Sequence, residues 1–118
     1  MAVSISNLTA GTGSGTSGTT ASISPTANKL VLVTVQNNKG ATPTPTTPTV
    51  TGCSMTWVQI ATVQMSADRR LTLFRGMSAS PASGALTIDF AGNSQDDIFW
   101  TVDQAVGVVI TGTNGADA

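Results

Sequence analysis

The stretch LVLVTV, Leu30 to Val35, constrains the fold more than any other part of this chain. Its residues are mostly β-branched, which favours extended backbone over helix. Turn-forming clusters bound it, Pro25 to Asn28 before and Asn37-Asn38-Lys39-Gly40 after, so its length suits a strand. Because Leu30 to Val33 are apolar at consecutive positions, both faces of that strand need cover, as in the middle of a sandwich.

The rest of the chain alternates with a period of two. In MTWVQIATVQM, Met55, Trp57, Gln59, Ala61 and Val63 share one face, with Thr56, Val58, Ile60, Thr62 and Gln64 on the other. Ser66 to Arg69 form a turn, and Leu71, Leu73 and Arg75 then alternate with Arg70, Thr72 and Phe74, which makes a β-hairpin. Ala85 to Phe90 point Leu86, Ile88 and Phe90 inward, and Ile98 to Ile110 read as a long last strand. No helical period occurs, so the fold class is all-β: an antiparallel β-sandwich, jelly-roll or immunoglobulin-like. The expected core includes Leu32, Trp57, Leu73, Ile88, Phe90 and Trp100.

The chain's 118 residues suffice for one domain. Residues 21–118 are assigned to the sandwich and residues 1–20 to a flexible N-terminal arm. That arm opens with the alternating Val3 and Ile5 and continues as TAGTGSGTSGTT, a linker composition. Two readings of it stand side by side, a plain connection or an arm reaching a neighbouring subunit; on the second, deleting Met1 to Gly18 should leave the sandwich folded while weakening capsid binding or oligomerisation. Three prolines make Pro43 to Pro48 an extended loop at the rim.

Only 9% of residues are charged, against roughly 25% in typical domains, while 40% are hydrophobic. The polar surface is therefore built from Thr, Ser, Gly, Asn and Gln, and a net charge of −1 gives little electrostatic defence against association. Lys29, Lys39, Arg69, Arg70 and Arg75 are offset by six aspartates, so no nucleic-acid footprint is expected. No run is long and apolar enough for a membrane span, and MAVSISNLTAGTGSG does not read as a signal peptide, so synthesis in a cytosol is expected. One cysteine cannot form an internal disulfide.

Histidine, glutamate and tyrosine are all absent. A Ser–His or Cys–His pair is thereby excluded, and Cys53, lacking a base, reads as structural. A Ser–Lys pair would need Lys29 or Lys39, both in solvated turns. Asp89 and Asp103 sit singly in strands and Asp96-Asp97 in a loop, an arrangement that does not present the facing carboxylates of a glycosidase. Ala91 to Asp97 carry closely spaced oxygen-bearing side chains but match no calcium-loop pattern. Asn7-Leu8-Thr9 fits a glycosylation sequon that a cytosolic chain would not use. Trp57 and Trp100 could form a sugar-stacking platform, though tryptophans in alternating strands more often belong to the core. Arg69, Arg70 and Arg75 could pair with a neighbour's aspartates or simply protect an edge. No catalytic, cofactor-binding or metal site is expected; the partner-interface candidates are Val3, Ile5, Arg69, Arg70 and Arg75.

The succession MTWVQIATV, RRLTLFRGMSASPASGALTIDF, FWTVDQAVGV and TGTNGADA resembles small β-sandwich virion proteins of tailed bacteriophages and prophages. The shared features are Thr56-Trp57, Arg69 to Met77, Thr87 to Phe90, Trp100 and the turn Thr113 to Gly115, across about Ser22 to Ala118. The resemblance implies a non-enzymatic virion component, foremost a capsid decoration protein that binds the major capsid protein or other virion proteins and forms a homo-oligomer, with a trimer favoured. A tail-fibre or spike module recognising host glycan is the alternative. Members continue past the Thr-Asn-Gly turn with at least one further strand, so this chain is expected to be either a shortened version or one to which a neighbour supplies the strand.

Overall fold

The computed structural model describes residues 2–40 and 45–108. Eight strands are present: β1 (Ser4–Gly15), β2 (Ser17–Thr19), β3 (Leu30–Asn38), β4 (Thr49–Thr51), β5 (Thr56–Ser66), β6 (Arg69–Met77), β7 (Thr87–Asp89) and β8 (Gln95–Val106). They form two antiparallel sheets, one ordered β1-β8-β3-β6-β5 and the other β2-β7-β4. The all-β sandwich expected from the alternation is the fold observed.

The pairs β1–β8, β2–β7 and β3–β6 are nested. The chain is thus one long hairpin with its tip between β4 and β5, closed on itself by β8–β3 and β7–β4. That wrapping is the jelly-roll topology. β5 departs from it, laddering with β6 instead of β4, so one sheet has five strands and the other three.

The core lies between the sheets. Val31, Val33 and Val35 of β3, Phe74 of β6, and Ile98, Trp100 and Val102 of β8 meet Val50, Leu86, Ile88 and Phe90 from the other side. Ile88, Phe90 and Trp100 are buried as expected. Leu32 and Leu73 are not: each is half-buried on the opposite face of its sheet, because Val31–Val35 and Thr72–Phe74 take the inward positions. Trp57 is also only half-buried: it packs against the margin of the core from β5, the edge strand of the larger sheet. A register shift between Gln59 and Ala61 swaps the faces of β5, so Trp57 and Gln59 share a face with Thr62, and Val58 with Ala61 and Val63.

The N-terminal arm is a correction. Ser4–Gly15 is a strand of the larger sheet, paired along its length with β8, and Ser17–Thr19 enters the smaller sheet. The glycines that resemble a linker have a packing role instead. The Trp100 indole lies in a trough formed by Gly11 and Gly13 of β1 and Gly18 of β2. A Cβ at Gly11 or Gly18 would stand 2.9 Å from the indole, and at Gly13 3.3 Å. Trp57 packs on Gly76 in the same way, 2.8 Å from where a Cβ would be.

Polar residues pin the loops to the sheets. Buried Asn37 donates to Gln95 Oε1 at 2.8 Å and to the carbonyl of Thr46 at 3.0 Å, which seats the described end of the proline loop. Arg70 Nε donates to the carbonyl of Pro45 at 3.0 Å. At the opposite end, Gln104 Oε1 accepts from the amide of Thr26 at 2.7 Å, holding the turn that precedes β3. Pro43, the end of the last expected strand (residues 109–110) and the turn Thr113 to Gly115 lie outside the described residues.

Two expectations follow from the trough. Gly18→Ala or Gly11→Ala should each lower unfolding free energy by about 1–3 kcal/mol in urea titration, with Gly13→Ala milder, because a buried indole cannot retreat from the new methyl. Deleting Met1 to Gly18 should abolish cooperative unfolding, since it removes a twelve-residue strand and the floor under Trp100; a truncated chain that melts like the full one would show that the strand is dispensable.

Candidate functional site

The residues that carry chemistry are dispersed. Cys53 is buried in the turn Gly52–Met55, where its thiol donates to the carbonyl of Gly84 at 3.4 Å. Burial pushes that thiol above its ordinary pKa, away from the thiolate that nucleophilic chemistry uses. Asp89 accepts from the amide of Ala91 at 3.2 Å, Asp96 from that of Gly40 at 2.7 Å, and Asp103 from Asn7 Nδ2 at 2.9 Å. These carboxylates thus serve turns and strands at separate places. Lys39 Nζ donates to the carbonyl of Ser94 at 2.6 Å, so it too ties loops together. Among the described residues, no three His, Cys, Asp or Glu side chains are grouped to share a metal ion.

The tryptophans do not form a joint platform. Trp100 is enclosed by the glycine trough, and Trp57, half-buried on Gly76, donates its Nε1–H to the carbonyl of Gly52 at 3.2 Å. Each ring has one face committed to backbone.

The five interface candidates are not brought together. Val3 and Ile5 are exposed, at 60% and 58%, at the start of the β1 edge. Arg69 is exposed at the β5–β6 turn, while Arg70 is occupied internally, bonding Pro45, Thr62 and Gln64. Arg75 lies mid-sheet on the face turned away from the core, opposite Leu32 and Val58, and its Nε is buried without an acceptor.

That outer face of the five-stranded sheet is the feature the sequence candidates do not contain. The ladder registers set its side chains in rows across the strands. One row is Thr12, Phe99, Gln36, Leu71, Val63; the next is Ala10, Thr101, Thr34, Leu73, Ala61. A third is Asn7, Asp103, Leu32, Arg75, Val58, followed by Ile5, Ala105 and Leu30. A last row, Asp97, Asn38 and Arg69, is polar, so the face is an apolar field with a charged end, and the smaller sheet packs on the other side. Phe99 and Val63 are 43% and 54% exposed. The signal for it was the unbroken apolar run Leu30 to Val33, which asks for cover on both sides of β3.

A hollow of about 170 Å³ on this face is lined by Thr34, Gln36, Leu71, Phe99, Trp100 and Thr101. Sites for small molecules run to about 300–1,000 Å³ and are concave enough to enclose a ligand. This one is too small for that, and a broad, flat, apolar face suits another protein surface better. Compared with known family models, curated proteins and solved structures, the chain matches none.

The thiol makes a prediction of its own. At pH 8 Cys53 should be inert to a thiol reagent in the native protein and react stoichiometrically once denaturant is added; rapid native reaction would mean that the Gly52–Met55 turn opens readily.

Proposed function

We propose that this chain is a non-enzymatic virion structural protein, a capsid decoration subunit that binds the assembled head of a tailed phage and forms homo-oligomers. The observation that carries this reading is the broad apolar outer face of the five-stranded sheet on a chain with only 9% charged residues. A surface of that kind is built to be covered. The sequence resemblance of Thr56-Trp57, Arg69 to Met77 and Thr87 to Phe90 to phage β-sandwich proteins supports the virion assignment. The jelly-roll topology agrees with it as an analogy of fold, being common to viral capsid and lectin domains alike. The glycan-binding alternative draws less support, because Trp100 is enclosed and the partly free rings of Trp57 and Phe99 lie on opposite faces of the larger sheet.

The test is quantitative mass spectrometry of purified particles from the phage that encodes the chain. The expected result is a copy number in fixed proportion to the major capsid protein, present on shells that lack tails. A copy number that follows the tail fibres, or absence from the particle, would overturn the reading.

A further inference from the structure

We propose that two copies of this chain pack face to face through the outer face of the five-stranded sheet, about a two-fold axis that runs parallel to β3. This pairing goes beyond the virion reading and does not depend on it.

The charges on the face select the axis. Arg75 and Asp103 flank Leu32 in one row, one strand to either side. A two-fold axis parallel to the strands and above β3 exchanges the β6 and β8 columns. It sets Arg75 of one copy over Asp103 of the other, twice, with Leu32 against Leu32. In the row that holds Gln36 it sets Leu71 over Phe99. An axis perpendicular to the strands through the Leu32 row would instead put Arg75 over Arg75, a like-charge contact that costs several kcal/mol. The Arg75 Nε–H, buried with no acceptor, gains one in the parallel arrangement, and Asp103 receives a charged donor beside Asn7.

Area is sufficient. Five strands about 4.8 Å apart and the nine residues of β3 at about 3.4 Å each span about 700 Å². A stable interface of standard size needs about 800 Å² per partner, so the face is of the right order without any other surface. Face-to-face packing is also an ordinary arrangement for sheets, about 10 Å apart with strands nearly aligned.

The edges of the larger sheet are the competing route for association, and both are blunted. β1 and β5 carry no charged residue, but each has two register shifts, at Asn7/Thr9 and Gly13/Gly15 and at Gln59/Ala61 and Gln64/Ser66. Bulges of this kind break the continuous ladder that a second strand would need. The flat face has no such protection.

Charge reversal in the full chain tests the pairing, read by sedimentation equilibrium with circular dichroism as the folding control. Wild type should be a dimer. Arg75→Asp and Asp103→Arg should each weaken it by at least about tenfold, because every copy then meets a like charge twice. Mixing the two variants should restore association as a heterodimer, since both contacts become opposite in sign. Leu71→Glu should also give a folded monomer. A wild type that stays monomeric, single reversals that dimerise as wild type does, or folded variants that fail to associate on mixing would each overturn the proposal. Asp103→Arg also removes the Asn7 bond, so Arg75→Asp and Leu71→Glu keep the test decisive if that variant does not fold.

Discussion

The Trp100 indole on its glycine trough is the contact on which the sandwich depends. Gly11 and Gly13 belong to the edge strand of one sheet and Gly18 to the other, so a single ring fastens the first strand to the fold where the chain crosses between sheets. The contact has a cost: the indole Nε1–H is buried without an acceptor, and an unsatisfied donor costs about 1–3 kcal/mol. Burying a ring of this size offsets that, provided the backbone comes close enough to exclude voids. Only glycine permits that approach at these positions. Trp57 on Gly76 repeats the device on β5 and β6, where less cover is available and the ring stays half-exposed.

With so few charges, buried amides do the fastening that ion pairs do elsewhere. Asn37, Gln95 and Asn93 form a chain of bonds at one end of the sandwich, and Gln104 with Thr26 forms a smaller one at the other. Neutral amides avoid the desolvation cost of buried charge and still fix loop positions by direction. Arg70 joins this system and is lost to the surface, whereas Arg75, a short distance along the same strand but on the other face, is left free for a partner. The alternation of a strand decides which arginine can act outside the molecule.

Unequal sheets explain the molecule's outward character. The three-stranded sheet covers the inner side of its larger partner, and no layer among the described residues covers the outer side. Recruiting β5 to β6 widens the larger sheet and its apolar face with it. The consequence is a face suited to protein contact, whose hollow of about 170 Å³ is smaller than a ligand site.

The sequence by itself reads β1 and β2 as a flexible arm, but it places β3 and β5 to β8, the hairpin turn at Ser66–Arg69, the inward set Leu86, Ile88 and Phe90, and the need of β3 for cover on both sides. Those are local matters of period and turn chemistry, which a sequence states directly. It did not determine which face of β6 or β3 points inward, because Leu71-Leu73 and Thr72-Phe74 offer two comparably apolar faces, and the choice rests on what the opposite sheet presents. Nor did it reveal that Gly11, Gly13 and Gly18 receive a ring nearly a full chain length away at Trp100. Glycine in a linker and glycine in a trough are the same letter; only the tertiary structure, by bringing β1 and β2 against β8, decides that the missing side chains make room for another residue's indole.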